Sequence, residues 1–412
     1  MEPADTAWIL SAFALVLLMF PGIAMLYGGM LNGRNVLNMV LMVLSSLAVT
    51  AVVYVVVGHG LVMGDSVGGA GIIGNPFEHS FLTSMMEDDG SGGPLWAAFY
   101  ILFAGISVAL VASGAAGRMK FGAWLVFVAI WVLLVYAPLG HWVFAFSNEE
   151  TGAVGGWMRT QLKLHDFAGG TAVHLNAGAA GLALALVLGR RSSPAGRPHN
   201  LPLMLVGVAL IVTGWMGFNG GTAGGANFLA QYVTLTSLLS LAGGMLGFIT
   251  IERFRDGHAT MLGLGTGAIA GLVGITPIAD AVGPLGALVV GFVASAAAAW
   301  AITWKRRHRI DDALDVFAIH GIAGITGSLF AAFFANAAAP AGFSGIVFGG
   351  SFDLLWHEGL ALLVTMVYSF AMTYAIAWTM NKIVPLRVSA GEEELGLDRS
   401  LHAETAYEGR TF

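Results

Sequence analysis

The chain has 412 residues, of which 57% are hydrophobic and only 10% are charged. Water-soluble domains carry about a quarter of their residues as charged side chains, so this composition excludes a soluble domain, a disordered chain and a nucleic-acid-binding protein. The absence of cysteine excludes disulfides and cysteine-ligated metals. The net charge of -6 carries little information, because the distribution of charge across a membrane matters more. We expect an all-α protein embedded in a lipid bilayer.

Apolar segments long enough to cross a bilayer follow one another along the chain. A spanning helix needs about 20 predominantly apolar residues. This criterion predicts eleven transmembrane helices, over residues 8–27, 37–60, 95–115, 121–144, 167–188, 201–221, 231–251, 259–277, 284–304, 315–334 and 357–381. Glu2 and Asp5 precede the first helix without any basic residue, which is the wrong flank for a secretory signal peptide. We therefore expect the first helix to be retained, with the N-terminus outside.

The distribution of Lys and Arg tests this topology independently. Eleven crossings place 16 of the 18 Lys and Arg residues on one side, Arg197 and Arg410 among them, and leave only Arg159 and Lys163 on the other. Cytoplasmic loops of membrane proteins carry the excess of basic residues. The pattern predicts a transmembrane domain over residues 1–381 and a cytoplasmic C-terminal tail over 382–412.

One sequence pattern occurs twice. The segments that begin at Asp166 and Asp312 both read D-x7-H-x3-G-x2-G. Each copy closes a block of five predicted helices, at about 8–188 and 201–334, and an odd number of crossings inverts the second block relative to the first. The pattern predicts two inverted five-helix repeats, helices 1–5 and 6–10, followed by an eleventh helix over 357–381.

The same pattern places one histidine of each repeat deep in apolar sequence. His174 and His320 each lie eight residues after the aspartate, about 12 Å along a helix. Helices that enter from opposite faces bring both rings near the midplane of a core about 30 Å thick. Two close imidazoles in apolar surroundings cannot both be charged. We expect two neutral rings that share a hydrogen bond and offer a donor and an acceptor to a small polar molecule.

A metal site and an enzyme active site are the competing interpretations of the histidine pair. Neutral imidazole binds Zn and Cu well, but no HExxH motif or inward carboxylate lies near His174 or His320 to complete such a site. His357 and Glu358 stand at a helix end, where a solvated pair is expected. No nucleophile with a base at recognisable spacing is present in the sequence. We predict no metal, no cofactor and no enzymatic activity.

Aromatic residues collect at the predicted outer ends of several helices. Trp215, Phe218 and Thr222 share one helix face if the helix continues to Thr222. Phe103 lies at a similar depth in the third helix, and Phe144 ends the fourth. Each aromatic residue alone could face lipid or fill the core. Together they could provide ring faces for a cation, with a hydroxyl beside them, and two phenyl rings that narrow the route to the histidines.

The sequence resembles the Amt/Mep/Rh ammonium transporter family, on the bacterial Amt side. The similarity covers essentially the whole chain and rests on Asp166-Phe-Ala-Gly-Gly-Thr-Ala-Val-His174-Leu-Asn-Ala-Gly178, Gly214-Trp-Met-Gly-Phe-Asn-Gly-Gly221, Asp311-Asp-Ala-Leu-Asp-Val-Phe-Ala-Ile-His320-Gly and the tail segment Gly396-Leu-Asp-Arg-Ser-Leu-His402-Ala-Glu404-Thr-Ala-Tyr407. The resemblance implies a homotrimer in the bacterial inner (plasma) membrane, with one pore for ammonium or ammonia in each subunit and a PII-type regulatory protein at the tail.

The resemblance also implies a role for each candidate residue. These roles are the pore pair His174 and His320, the stacked gate Phe103 and Phe218 backed by Trp215, the recruitment site Phe103, Phe144 and Thr222, and structural support of that site by Asp166. The family usually has Trp at Phe144 and Ser at Thr222. Phenylalanine is a weaker cation–π partner than tryptophan, so a recruitment site of lower affinity is expected.

Two further departures concern the tail. Gly117 stands where the family usually has Glu, and Ala403 stands where it usually has Gly. At these two positions the resemblance does not support docking of the tail and PII control, so the sequence leaves both undecided.

The expected mechanism starts with ammonium at the outer site. Ammonium loses its proton before or at the gate, because a bare cation in a pore of low dielectric is highly unfavourable. Ammonia then passes along the histidines, whereas potassium has no proton to release. Two alternatives remain, namely an ammonium sensor of the same fold that signals through its tail and an electroneutral ammonia channel of the Rh type.

Overall fold

The computed structural model describes residues 1–192 and 198–407. Within those two ranges the chain is helical, with three isolated β-bridges and no β-strand. Arg197 and Arg410, which the positive-inside argument assigned to the cytoplasm, lie outside the described residues.

Ten helical segments of the described chain are long and apolar enough to cross a bilayer. Together with the short helix α8 they are, in chain order, α1 Pro3–Met30, α2 Val36–Met63, α3 Gly93–Ala115, α4 Phe121–Phe144, α5 Gly170–Leu188, α6 Leu201–Thr222, α7 Phe228–Asp256, α8 Met261–Ile275, α9 Pro284–Arg307, α10 Phe317–Phe334 and α11 Asp353–Ile383. Each corresponds to one predicted span. Since α6 includes Thr222, the condition for a shared face with Trp215 and Phe218 is met.

Helix α8 is shorter than the predicted span over 259–277. Its 15 residues extend about 22 Å, less than the thickness of the hydrocarbon core. Twelve of these residues are buried, and the chain continues as buried turns to Val282. Irregular backbone is tolerated at membrane depth where protein covers it. The apolar run that predicted a regular helix is therefore divided between a short helix and buried turns.

Helices α5 and α10 approach each other closely next to the two histidines. A Cβ atom on Gly178 of α5 would lie 2.5 Å from the backbone nitrogen of Gly321 in α10. Only glycine permits this backbone-to-backbone contact, and small residues are the usual means of close helix packing in membranes. The contact holds α5 and α10 together at the level of the histidine pair.

The tail packs against the start of α2. It contains two short helices, α12 Ala390–Leu395 and α13 Leu397–His402. Asp398 accepts a hydrogen bond from the backbone nitrogen of Asn38 at 2.8 Å, and the backbone nitrogen of Leu397 donates to Asn35 Oδ1 at 2.8 Å. The tail is thus docked although Gly117 and Ala403 depart from the usual residues of the family, and Ala403 itself adopts the left-handed conformation that ends α13.

Candidate substrate pore

The two pattern histidines meet in the interior of the protein. His174 Nδ1 lies 3.2 Å from His320 Nδ1, and the two residues are 0% and 6% exposed. One of these nitrogens must donate and the other must accept, so at least one ring is neutral. His174 Nε2 is buried and has no hydrogen-bond partner among the described residues. The pair therefore keeps one ring nitrogen available to a small polar molecule.

Both histidines lie in π-helical segments, Gly170–Leu175 and Phe317–Ile322. Short π-helical segments are rare and occur frequently at functional sites. Helix α5 begins at Gly170, so the prediction that His174 lies eight residues inside a regular helix is wrong. The preceding residue, Gly169, has a left-handed φ of 106° and turns the chain into the helix.

Asp166 explains why the helix starts so late. Its carboxylate accepts hydrogen bonds from the backbone nitrogens of Gly169 at 2.8 Å, Gly170 at 2.7 Å and Thr171 at 2.8 Å, and from the Thr171 hydroxyl. The residue is completely buried. A carboxylate that receives successive backbone N–H groups caps a helix at its N-terminus. Asp166 thus fixes the start of the segment that carries His174.

Two stacked phenyl rings lie next to His174. The rings of Phe103 and Phe218 stack with centroids 4.0 Å apart and an interplanar angle of 9°. The Trp215 ring stacks on His174 at 5.1 Å, and its Nε1 donates to Thr276 Oγ1 at 2.9 Å. These contacts place Trp215 beside both His174 and Phe218, which lie 6.0 Å apart as ring centroids.

A cavity of about 370 Å³ adjoins the stacked rings, and we call it the outer cavity after the side on which the predicted topology places it. The predicted residues Phe103, Phe144 and Thr222 all line it, and the rings of Phe103 and Phe144 meet edge to face at 6.1 Å. Thr222 donates its hydroxyl hydrogen to the carbonyl of Phe218 at 2.8 Å, which leaves the oxygen able to accept. Sequence reasoning missed the other lining residues, Trp96, Phe99, Tyr100, Phe146, Arg159, His165, Phe167 and Asp280.

A second, much smaller cavity adjoins the histidine pair. It has a volume of about 20 Å³, which is room for roughly one water molecule. Its lining is aliphatic apart from Trp215, Tyr27 and the two histidines. Tyr27 was not predicted, because a tyrosine in an apolar run carries no distinctive sequence signal.

A third cavity, of about 350 Å³, is lined by many charged residues, and we call it the inner cavity because the predicted topology places it on the cytoplasmic side. Asp311 pairs there with Arg118 at 2.8 Å and with Arg191 at 2.6 Å. Burial raises the pKa of the Asp311 carboxyl, but the two arginines more than offset this effect and lower the pKa to about 2. This cavity also contains Asp312, the counterpart of Asp166 in the second repeat.

Fold and site together define a class of protein. Ten long apolar helices enclose a wide outer cavity, a stacked aromatic constriction, a small apolar cavity with two histidines and a charged inner cavity. Narrow, mostly apolar passages with a few polar groups are the means by which membrane proteins select small solutes. The molecule is built as a membrane pore for a small polar substrate.

Comparison with known proteins identifies the family. Residues 7–407 match the Ammonium Transporter Family. An ammonium transporter of Corynebacterium glutamicum is 61% identical over 407 residues, which cover 99% of this chain and 90% of that protein. Saccharomyces cerevisiae Mep2 superposes with a TM-score of 0.86 at 31% identity, covering 100% of this chain and 93% of its own. A sensor Amt protein superposes with a TM-score of 0.89 at 26% identity, covering 98% of both chains.

The chain belongs to the ammonium transporter family. The resemblance seen in the sequence is thereby confirmed, as are ammonium transport and a multi-pass location in the plasma membrane. The curated relatives are named as transporters and not as enzymes.

Proposed function

We propose that ammonium loses its proton in the outer cavity and crosses this protein as ammonia. The proposal depends on the decrease in cavity volume along the pore. The outer cavity, before the stacked rings of Phe103 and Phe218, has about 370 Å³, whereas the cavity beside the histidines has about 20 Å³. A cation in the small cavity would lose nearly all its hydration in apolar surroundings, at a cost of several kcal/mol or more. Ammonia avoids that cost, whereas potassium cannot.

The histidine pair then conducts ammonia by hydrogen bonding. His174 and His320 already share one hydrogen bond through their Nδ1 atoms, which orients both rings. The unpartnered His174 Nε2 faces the ammonia that has passed Phe218. A neutral ring there can donate to or accept from ammonia without a fixed charge that would trap an ion.

The outer site recruits the cation before it loses its proton. Phe103 and Phe144 present aromatic rings to the outer cavity, and Thr222 presents a hydroxyl oxygen. Cation–π attraction to a phenyl group contributes about 0.5–1 kcal/mol at an exposed site, and Trp96 and Tyr100 also line the cavity. Trp215 supports the gate from behind and Asp166 supports it by fixing the start of α5.

The chain crosses the membrane eleven times in this proposal, with the N-terminus outside and the C-terminus in the cytoplasm. The buried turns that follow α8 complete its crossing inside the protein. Residues 1–381 form the transmembrane domain, with repeats at about 8–188 and 201–334, and residues 382–412 form the tail. The matching D-x7-H segments at the starts of α5 and α10 support the inverted repeat.

Family membership further suggests a homotrimer and a PII-type regulatory protein at the tail. The hydrogen bonds between α13 and the start of α2 support a regulatory role for the tail, because a ligand that moves the tail would act directly on a transmembrane helix.

A sensor is the second candidate, favoured by the close superposition of the sensor Amt protein. A sensor would order or release the docked tail on binding ammonium and would conduct nothing. An electroneutral channel would conduct ammonia without charge movement. A recording of ammonium-evoked current and flux distinguishes both alternatives from ion-coupled transport. A sensor gives neither current nor flux, and an electroneutral channel gives flux without current.

The experiment is an ammonium-jump recording on purified protein in proteoliposomes, with a potassium jump as control. We expect ammonium-dependent current or ammonia flux above that of empty vesicles, and no potassium current. His174→Ala should abolish ammonium flux or admit potassium, because it removes the central hydrogen-bonding ring. His357→Ala, at the outer end of α11, is the matched control. Absence of flux from the wild-type protein contradicts transport, and wild-type behaviour of His174→Ala contradicts the pore role.

A further inference from the structure

A carboxylate–imidazole pair lines the outer cavity and has no role in the mechanism above. His165 Nε2 lies 2.9 Å from Asp280 Oδ1, and the two side chains are only 18% and 12% exposed. His165 directly precedes Asp166, and Asp280 lies in the buried turns after α8. Both residues share the outer cavity with the recruitment residues Phe144 and Thr222.

The hydrogen bond determines which nitrogen of His165 carries the proton. An ionised carboxylate can only accept, so Nε2 carries the hydrogen and Nδ1 keeps a lone pair. The backbone nitrogen of His165 donates to Glu358 at 2.9 Å, and its ring packs edge to face on Phe343 at 4.8 Å. A histidine held by a carboxylate in this way is the arrangement that enzymes use for a proton acceptor.

The other titratable groups around His165 are poorly suited to accept a proton. Asp166 receives four hydrogen bonds. Glu358 receives one, from His165 itself, and its other carboxylate oxygen has no partner among the described residues. However, Glu358 is completely buried, contrary to the solvated position expected for it, and does not line the outer cavity, so ammonium there does not contact it. Arg159 is a cation without acceptor capacity, and donates to the carbonyls of Val143 and Asp166. The remaining groups are phenols, Tyr100 in the cavity lining and Tyr232, which donates to the carbonyl of Val282.

We propose that His165 accepts the proton that ammonium loses in the outer cavity, with Asp280 as a positioning residue that fixes the tautomer and stabilises the imidazolium. This inference rests on the proposed deprotonation. One N–H bond of ammonium breaks, its electron pair stays on the ammonia nitrogen, and the proton bonds to His165 Nδ1. The imidazolium then passes that proton to water in the outer cavity and becomes neutral again, while ammonia moves on past Phe103.

The pH dependence of flux distinguishes this role from a structural one. His165 works only while neutral, so flux is full at higher external pH and falls as the ring becomes protonated. Removing the charge of Asp280 destabilises the imidazolium, and the loss of flux then occurs at lower pH. We call the pH at which half of the flux is lost the acid midpoint. A residue that only packs against the cavity wall would leave the acid midpoint unchanged. Arg159, Asp166, Glu358, Tyr100 and Tyr232 remain in all variants and act as a constant background.

The experiment compares wild type, His165→Asn, Asp280→Asn and His165→Ala in proteoliposomes from about pH 5 to pH 8 at fixed ammonium. His165→Asn should lower flux about 100-fold, the lower range for a positioned proton acceptor. Asp280→Asn should move the acid midpoint of flux to lower pH. Added imidazole should restore part of the flux of His165→Ala. His357→Asn is the matched control, because that histidine lies outside the cavity lining.

Wild-type flux and an unchanged midpoint in His165→Asn and Asp280→Asn would overturn the inference while leaving transport intact. Should His165→Asn not fold, the midpoint of Asp280→Asn decides, because an unshifted midpoint in an active variant is equally contradictory. Wild-type protein that conducts no ammonium would overturn the proposed function itself.

Discussion

Asp166 begins the segment that carries His174, and Asp312 begins the corresponding segment that carries His320. Asp166 receives three backbone N–H groups and a threonine hydroxyl. Asp312 receives one backbone N–H group, that of Phe317 at 3.1 Å, and the hydroxyl of Ser113 at 2.6 Å. Lys305 Nζ also lies 3.5 Å from the Asp312 carboxylate. The charge of Asp166 is thus stabilised by N–H and O–H dipoles, whereas that of Asp312 is stabilised partly by the Lys305 ammonium group.

Positive charge lies near both segments, but it meets the carboxylate itself only at Asp312, through Lys305. Near Asp166, Arg159 lines the outer cavity and donates to the backbone carbonyl of Asp166 at 2.7 Å, not to its carboxylate. The repeated sequence pattern therefore determines the backbone of both segments, while the neighbouring residues determine the charge at each end.

The largest expected effect is that of Asp166→Asn. The amide cannot accept from all four donors, and its own N–H groups would face backbone N–H groups. Each buried polar group without a hydrogen-bond partner costs about 1–3 kcal/mol of stability. We therefore expect the free energy of unfolding to fall by about 3–6 kcal/mol, which leaves little folded protein. Thermal unfolding in detergent measures this. Thr171→Val, which removes only the hydroxyl donor, is the control and should cost about 1 kcal/mol. Equal losses for both variants would contradict the capping role.

The second effect concerns the glycines that follow each histidine by four residues. A Cβ on Gly178 would lie 2.5 Å from Gly321, whereas a Cβ on Gly324 would lie 3.0 Å from the Gly170 carbonyl oxygen. Overpacking costs about 1–3 kcal/mol of stability. We therefore expect the free energy of unfolding to fall by about 3 kcal/mol in Gly178→Ala and by about 1 kcal/mol in Gly324→Ala. Gly178→Ala should also reduce ammonium flux, because it separates α5 from α10 beside the histidine pair. A larger loss for Gly324→Ala would contradict this packing.

A smaller effect is expected for Asp312→Asn. The amide oxygen can still accept from Ser113, and Lys305 keeps its ion pair with Asp315 at 2.5 Å. We expect the free energy of unfolding to fall by about 2 kcal/mol. This is less than the roughly 3–5 kcal/mol typical when a buried charge loses its only ion-pair partner. Unfolding in denaturant measures it, with Ser113→Ala as control. If Asp312→Asn destabilised the protein more than Asp166→Asn, the proposed contrast between the two ends would be wrong.

The approach of the two histidines could be predicted from the sequence, and the reason is geometric. The D-x7-H pattern sets the same depth in two segments, and the predicted inversion of the repeats brings those depths together. The π-helical start of each segment could not be predicted, because it depends on hydrogen bonds to Asp166 and Asp312 that hydropathy does not register. The roles assigned to the pore residues remain predictions.

The outer cavity shows a different limit of sequence reasoning. His165 and Asp280 are 115 residues apart, and neither belongs to a regular helix, so no periodicity relates them. The same limit applies to α8. An apolar run indicates burial, but it does not distinguish a helix from buried turns such as those that follow Ile275. Periodic features were accessible from the sequence, and contacts between irregular segments were not.

The smallest expected effect is an acid-dependent loss of stability at the inner end, where Asp311 pairs with Arg118 and Arg191. Because the folded protein holds the pKa of Asp311 at about 2, below its ordinary value of 3.8, the ionised carboxylate stabilises the fold above about pH 4. That contribution, up to about 2 kcal/mol, is lost as the pH falls from about 4 through 2. Denaturant unfolding over this pH range measures how steeply the free energy of unfolding falls with pH, here called the acid slope.

Asp311→Asn should lower stability at neutral pH, because it leaves the buried Arg118 without its carboxylate, and it should flatten the acid slope. Asp353→Asn, on the exposed first turn of α11, is the control and should leave the slope unchanged. The outer end has no arginine bonded to the Asp166 carboxylate among the described residues, so its stability should depend on hydrogen bonding instead. An acid slope that persists in Asp311→Asn would mean that other carboxylates carry it, and that the ionic character of the inner end does not depend on this pair of arginines.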